Sequence, residues 1–162
     1  GLLMATDKLK TPIVSGTTDL SSKVIKKLHQ SAKLRPIFWA SNMSVGVWIL
    51  RQAIQHFKNA AQFDFDVDET HHNQKKDNPS GTARTIYEDL KKITQSPVSL
   101  SKGKRLGGVY GVHKVTAASQ SEVITFEHTA LNRSVFAEGS IKAARWIVNQ
   151  KNGYYSMDDL LK

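Results

Sequence analysis

The chain has 162 residues and a formal net charge of +9, and it contains no cysteine. This length has room for one ordinary domain or two small ones, and the 40% hydrophobic content predicts a folded globule. The lack of thiols excludes disulfides and cysteine nucleophiles, and no apolar run approaches the ~18 residues of a membrane span. Because the sequence also has no signal-peptide pattern, we expect a cytoplasmic protein.

The first predicted elements form a parallel crossover. Thr11–Ser15 and Pro36–Ala40 are short apolar runs typical of buried strands, and Asp19 or Ser21 caps a helix between them. The order strand, helix, strand indicates a right-handed parallel unit, which binds ligands at the carboxyl ends of its strands. The polar turns expected at those ends are residues 16–18 and 41–44.

The pattern then changes to an α+β arrangement at about Asn42, which is the predicted domain boundary. The elements predicted beyond it are, in order, a helix over 45–62, a strand over 63–69, a helix from Gly81 to about Gln95, a glycine-rich connection over 96–108, a hairpin of strands 109–117 and 122–128, a long helix from Val135 to near Gly153 and an apolar tail that packs on the protein.

The segment between the 63–69 strand and the following helix carries most of the candidate chemistry. Ser80 is a suitable N-cap, so the N–H groups of Gly81, Thr82 and Ala83 would point out of the first helical turn. The positive end of the helix dipole lies behind them, which favours a bound carboxylate or phosphate. The segment therefore predicts a small anion site at the helix start.

Two imidazoles and an ammonium accompany this anion site. The preceding strand ends near His71 and His72, and adjacent residues of an extended chain point to opposite sides, so one ring is expected to face the site. Lys75 follows closely and could bind an anion beside a proton-donating imidazole. The combination indicates an enzyme acting on a small carboxylated molecule.

Four motifs stand in a characteristic order along the chain: Gly16-Thr17-Thr18, Ser41 to Val47, His71 to Ala83, and His128-Thr129-Ala130 followed by Arg133, Phe136, Ala137 and Gly139. With these motifs the chain resembles the dihydrodipicolinate reductase family, also described as 4-hydroxy-tetrahydrodipicolinate reductases of diaminopimelate and lysine biosynthesis. The resemblance runs from the first residue to the last.

That resemblance implies a reductase that moves a hydride from NADPH or NADH to a cyclic, imine-containing dicarboxylate. It makes His71 the general acid and Lys75 its cationic partner, with no metal. The residues implied at the substrate carboxylates are His72, Gly81 and Thr82. Those implied on the nicotinamide side of the cofactor are Gly16, Thr17, Thr18, Ala40, Ser41, Asn42 and Met43.

The same resemblance implies the fold class and the domains. Residues 1–41 correspond to a remnant of a Rossmann-like cofactor domain, and residues 42–130 to an α+β substrate-binding domain whose mixed, mainly antiparallel sheet forms a homotetramer. Residues 131–162 form a helix and tail that return to the nucleotide-binding domain. The fold class is thus α/β and α+β.

Some residues depart from the family pattern. The Gly-x-x-Gly-x-x-Gly turn that cradles the cofactor pyrophosphate does not occur in this sequence, so we expect a chain without the amino-terminal fingerprint region. Asp19 stands where the family usually has glycine, and Met43 where it usually has phenylalanine. The stretch between Gln95 and Val109 is shorter than usual.

Three alternatives remain open at this point. The chain could be a substrate-binding and assembly module that does not bind the cofactor. His71, His72, His113 and His128 could bind a metal, although His113 and His128 are also suited to a strand-paired core. Nucleic acid could explain the positive charge, but the lysine clusters are short and lack interleaved aromatic residues. The resemblance favours the reductase, with neither nucleic acid nor a membrane as partner.

Overall fold

The structure of the protein is a computed structural model that describes residues 10–18 and 20–162. The elements are β1 (Ile13–Ser15), α1 (Ser22–Ala32), β2 (Pro36–Trp39), α2 (Val45–Ala53), a 3-10 helix (Ile54–Asn59), β3 (Asp64–His71), α3 (Gly81–Ile93), β4 (Val98–Leu100), β5 (Lys104–Arg105), β6 (Val112–Ala118), β7 (Val123–Thr129), α4 (Ser134–Ile147), β8 (Gly153–Tyr155) and α5 (Met157–Leu161). The predicted mixture of α/β and α+β structure is confirmed.

Contacts divide the chain into two compact units. One contains the described residues up to Val45 together with Ser134–Lys162, and the other contains Gly46–Arg133. The domain boundaries predicted from the sequence, after residues 41 and 130, stay a prediction.

The first unit is built on a three-stranded parallel sheet in the order β1-β2-β8. The predicted parallel crossover through α1 is therefore present, and the hydroxyl of Ser21 accepts a hydrogen bond from the Val24 N–H at 3.4 Å. Asp19, the other predicted cap, lies outside the described residues. The apolar tail packs as predicted, and it does so by adding β8 to the sheet, a strand that the sequence pattern did not predict.

The second unit is built on a five-stranded mixed sheet with the path β4-β3-β6-β7, and β5 also pairs with β3. The β6–β7 hairpin predicted from the sequence is confirmed and is antiparallel. The glycine-rich connection predicted over 96–108 contains two short strands, β4 and β5, that run parallel to β3. Strands of three and two residues are too short to show a periodic pattern.

The helix predicted over 45–62 is wrong in its second half. An α-helix ends at Ala53 and a 3-10 helix continues over Ile54–Asn59. Ile54 and Phe57 are three residues apart and are 0% and 6% exposed, so the tighter winding places both in the core on one face. The core of this unit, formed by α2, the 3-10 helix, α3 and the sheet, also includes Phe65, Val67, Ile86 and Leu90.

Every helix in the described part of the chain is too short or too polar to cross a lipid bilayer.

Candidate active site

Strand β3 brings a carboxylate and an imidazole to the same buried face. Its burial alternates residue by residue, so Phe65, Val67, Glu69 and His71 point to one side. Glu69 is 1% exposed and His71 is 7% exposed, which leaves both polar side chains at the end of an apolar row. A buried charge of this kind needs partners close by.

The Glu69 carboxylate has partners on both oxygens. Oε1 accepts hydrogen bonds from the Ser80 N–H at 2.9 Å and from Arg105 Nη2 at 3.1 Å. Oε2 lies 3.2 Å from Nδ1 of His71, although the two atoms are not aligned as a hydrogen bond. Burial alone would raise the pKa of Glu69, but the His71 ring and the Ser80 hydrogen bonds outweigh burial and lower this pKa to about 2. Glu69 is therefore ionised at neutral pH.

His113 completes the cluster from the neighbouring strand. It pairs directly with Glu69 across β3 and β6, its ring meets His71 edge-on at 5.0 Å between centroids, and its Nε2 lies 3.9 Å from Glu69 Oε2. Burial, followed by the charge of His71, lowers the pKa of His113 to about 3. His113 is thus neutral at neutral pH.

His128 extends this row of side chains to β7. It pairs with His113 across β6 and β7, with the two rings stacked at 6.4 Å between centroids. Burial lowers the pKa of His128. His113 and His128 are strand-paired, as the sequence suggested, with His113 buried and His128 half-buried.

The loop after β3 contains an ion pair between Lys75 and Asp77. Lys75 Nζ lies 2.6 Å from Asp77 Oδ1, and Asp77 Oδ2 accepts a hydrogen bond from the Gly81 N–H at 3.3 Å. Burial opposes ionisation of Asp77, but the Lys75 ammonium outweighs it and lowers the Asp77 pKa. A protein carboxylate therefore bridges two of the groups that the sequence assigned to substrate.

Arg105 and Asn78 hold this loop in place. The Arg105 guanidinium contacts Glu69 and also donates to the backbone carbonyls of Lys75 and Asp77. Asn78 exchanges two hydrogen bonds with Gly103, at 2.8 and 2.9 Å. The short strand β5 and the residues before it thus anchor the loop to the buried carboxylate.

The start of α3 is only partly as predicted. Ser80 is the N-cap, and its hydroxyl accepts from the Ala83 N–H at 3.2 Å. The prediction that these N–H groups are unpaired is wrong at two positions, because the Gly81 N–H donates to Asp77 Oδ2 and the Ala83 N–H donates to the Ser80 hydroxyl. The physical reason is that unpaired N–H groups at a helix start need acceptors, and side chains of the preceding loop provide them. Thr82 is buried between these two residues.

His72 follows the end of β3 and is half-buried. Its carbonyl accepts a hydrogen bond from the Lys75 N–H at 3.1 Å, which makes the turn that carries Lys75. His71, Lys75, Gly81 and Thr82 belong to the same unit, and Arg105 connects the Glu69–His71 pair to the Lys75 segment.

The residues implied on the cofactor side belong to the first unit. The turn Gly16–Thr18 follows β1 and the segment Ala40–Met43 follows β2, at adjacent carboxyl ends of the parallel sheet. The Ala40 N–H donates to the Ser15 carbonyl at 3.2 Å, and a Cβ at Gly16 would lie 3.7 Å from the Met43 side chain. The structure therefore brings these two segments together within their own unit.

A metal site built on histidines was one of the alternatives that the sequence left open. Among the described residues, Glu69, His71 and His113 place ligand-type atoms within 4.8 Å of one another, whereas His72 and His128 are not part of this group. Arg105 already pairs with the same carboxylate, and its positive charge so close to the cluster opposes a bound dication. The geometry fits an ion-pair cluster better than a metal centre.

Sequence reasoning did not identify Glu69, Arg105 or Asp77 as site residues. A signal for Glu69 was present, because it continues the two-residue period of Phe65 and Val67 and should therefore point inward. Arg105 carried no such signal, since it lies in a strand of two residues whose partner is far away in sequence.

The fold can be compared with solved structures. A chain described as "Dipicolinate bound Dihydrodipicolinate reductase from Paenisporosarcina sp. TG-14" superimposes with a TM-score of 0.76 over 99% of this chain and 68% of its own length, at 20% identity. The two chains therefore share a fold of mixed α/β structure.

Sequence comparison is more specific. A family model described as "Dihydrodipicolinate reductase, C-terminus" matches residues 44–161. A "4-hydroxy-tetrahydrodipicolinate reductase" of Bdellovibrio bacteriovorus is 49% identical over 99% of this chain and 70% of its own length, and one of Caldanaerobacter subterraneus subsp. tengcongensis is 35% identical over 96% and 69%. The chain belongs to the dihydrodipicolinate reductase family, and the family model it matches is the C-terminal one.

Proposed function

We propose that this chain carries the catalytic loop of an NAD(P)H-dependent reductase of diaminopimelate and lysine biosynthesis. The reaction converts 4-hydroxy-tetrahydrodipicolinate to tetrahydrodipicolinate by uptake of one hydride and one proton, and the 4-hydroxyl group leaves as water. The observation that carries the proposal is the buried Glu69–His71 pair at the end of β3, fastened through Ser80 to the start of α3. A proton donor and a carboxylate-binding helix start are thereby held by one side chain.

In this proposal His71 supplies the proton. Its ring is nearly buried, and its Nδ1 lies 3.2 Å from Oε2 of the ionised Glu69 carboxylate, so the proton donor is held at the end of β3. Transfer leaves the neutral imidazole, which regains a proton from water before the next turnover.

Lys75, His72, Gly81 and Thr82 bind the two substrate carboxylates. Lys75 supplies a fixed positive charge, and the start of α3 supplies N–H groups and the positive end of the helix dipole. Because Asp77 already bridges Lys75 and the Gly81 N–H, a substrate carboxylate has to replace it at one of these contacts.

Gly16–Thr18 and Ala40–Met43 would hold the nicotinamide end of the cofactor. These two segments fit the nicotinamide because they lie side by side at the carboxyl ends of β1 and β2, which is the usual place for a dinucleotide on a parallel sheet. Gly16 also has no side chain to block it there. When bound, the reduced nicotinamide supplies the hydride.

The proposal is tested with the purified chain, NADPH or NADH, and substrate generated enzymatically in the cuvette. We expect loss of the reduced-nicotinamide absorbance that depends on both substrate and protein, and abolition of that loss in His71→Ala. If the wild-type protein oxidises no cofactor while a longer relative does so under the same conditions, this chain by itself is not the reductase.

A substrate-binding and assembly module is the second candidate. It is favoured by β7, which ends the strand path of its sheet and has side chains exposed at alternate positions, so this face is available for a homotetramer. A fluorescence titration with NADPH distinguishes the two functions, because the module should show no saturable binding at micromolar cofactor. A location in the cytoplasm remains part of the proposal.

A further inference from the structure

We propose that Glu69 is a positioning residue that keeps His71 in its protonated form and connects that proton donor to the carboxylate-binding start of α3. The inference rests on the proposed function, because it concerns the acid of that reaction. It adds to the residues named above a buried carboxylate that touches neither the substrate nor the cofactor.

The contacts of the Glu69 carboxylate direct one of its oxygens to His71. Oε1 is held by the Ser80 N–H at 2.9 Å and Arg105 Nη2 at 3.1 Å, so the plane of the group is fixed. Oε2 is then left facing His71 Nδ1 at 3.2 Å and has no hydrogen-bond partner. A buried carboxylate oxygen with no other partner favours a positively charged ring at this distance.

Glu69 has two neighbouring imidazole rings, those of His71 and His113, and only one of them can carry a proton. Glu69 Oε2 also lies 3.9 Å from His113 Nε2, but burial and the charge of His71 keep His113 neutral. Two adjacent imidazolium ions would repel each other, so a proton on His71 excludes one on His113. The negative charge of Glu69 therefore stabilises a proton on His71 and not one on His113.

Gly103 lies against the Glu69 side chain and limits where the carboxylate can be. A Cβ on Gly103 would lie 2.6 Å from Glu69 Cγ and 2.8 Å from Cδ, and it would overlap Oε1. Only a glycine leaves room for the carboxylate at this point. Gly103 is itself held by two hydrogen bonds to Asn78, in the loop that precedes α3.

Other charged groups act on the pair from each adjacent element. Arg105 on β5 and Lys75 in the loop are positive and oppose a charge on His71, while Asp77 is paired with Lys75 and offsets it. His113 on β6 and His128 on β7 complete the row. With two cations nearby, removal of the Glu69 charge should shift the balance strongly towards a neutral His71 ring.

The test compares steady-state kinetics of Glu69→Gln and wild type across a pH series. Glutamine keeps the size of the side chain and an oxygen for Ser80 but loses the charge. We expect the alkaline limb of kcat/KM to move to lower pH by about one unit or more, so that activity is about tenfold lower on that limb and recovers as the pH falls. The affinity for dipicolinate, measured directly, should change by less than about threefold.

Two further variants complete the design. Gly103→Ala keeps the charge but displaces the carboxylate, so it should lower kcat in the same direction as Glu69→Gln. Glu122→Gln removes an exposed carboxylate from the β6–β7 turn and should leave the pH profile unchanged.

A readout that does not need activity separates this inference from the proposed function. The His71 ring is identified in NMR spectra by its loss in His71→Ala, and its titration midpoint is compared in wild type and Glu69→Gln. A midpoint lower by about one unit or more in Glu69→Gln supports the inference even if the chain is not a reductase. An unchanged midpoint, or equal loss of activity at every pH, would overturn it and leave Glu69 with a structural role.

Discussion

His113 should make this protein sensitive to mild acid, and the effect can be calculated. Its pKa is about 3 in the folded protein and 6.5 when unperturbed. Between these values the unfolded chain binds a proton that the folded protein does not, so the stability is complete above the unperturbed pKa and falls as the pH is lowered. At about pH 5 the loss is about 2 kcal/mol relative to about pH 7.5.

This magnitude does not depend strongly on the folded-state value. A folded pKa anywhere below about 4 gives nearly the same loss at about pH 5, because the folded ring is neutral there in either case. Glu69 adds little to the difference, since its ordinary pKa of 4.5 and its folded pKa of about 2 both lie below that pH. The prediction therefore tests whether the His113 ring is buried without a proton.

The assay is equilibrium unfolding in urea, followed by circular dichroism at both pH values. The variant His113→Gln keeps a polar side chain beside Ser80 but cannot titrate, so its pH-dependent loss should be smaller than that of wild type by about 2 kcal/mol. His56→Gln, which changes an exposed histidine of the 3-10 helix, is the matched control and should behave as wild type. If wild type and His113→Gln lose equal stability, the reasoning about this buried ring is refuted.

Four other substitutions test the loop and the helix start. His71→Ala should lower kcat far more than it weakens dipicolinate binding, and normal turnover in this variant would contradict the role of His71 as the acid. Lys75→Ala should lower kcat and also weaken dipicolinate binding, and a normal Michaelis constant would contradict its contact with the substrate. Asp77→Asn removes the negative charge that bridges Lys75 and the Gly81 N–H, so it no longer competes with a ligand carboxylate and dipicolinate should bind more tightly by direct titration. Weaker binding would show that Asp77 holds the loop open for the ligand. Ser80→Ala removes the N-cap of α3 and should cost about 1 kcal/mol in urea unfolding; no change would mean that the cap does not limit stability.

Much of the local structure could be predicted because the responsible interactions are close in sequence. The alternation of Phe65 and Val67 with acidic residues predicted β3. Ser80 before an apolar helical repeat predicted that α3 begins at about Gly81, which is where it begins. Periodicity failed for residues 54–59, since a spacing of three fits both an α-helix and a 3-10 helix, and packing of Ile54 and Phe57 decided between them.

The site was predicted in part for the same reason. His71 and Lys75 are neighbours along the loop, so the sequence could place them together. The predicted roles of these residues, of His72, Gly81 and Thr82, and of the cofactor-side residues stay predictions. A helix start predicts unpaired donors but not which side chains reach them, and here Asp77 accepts from the Gly81 N–H and Ser80 from the Ala83 N–H.

By itself, the sequence determined the order of the main elements and the family, and it placed His71, the proposed proton donor, close to Lys75 along one loop. Only the tertiary structure decided what surrounds that donor. Glu69 meets His113 through the register of β3 and β6, and it meets Arg105 because β5 pairs in parallel with β3. These contacts join residues far apart in the chain. Strand pairing and register fix them, and the periodicity of one segment does not show which strand it pairs with.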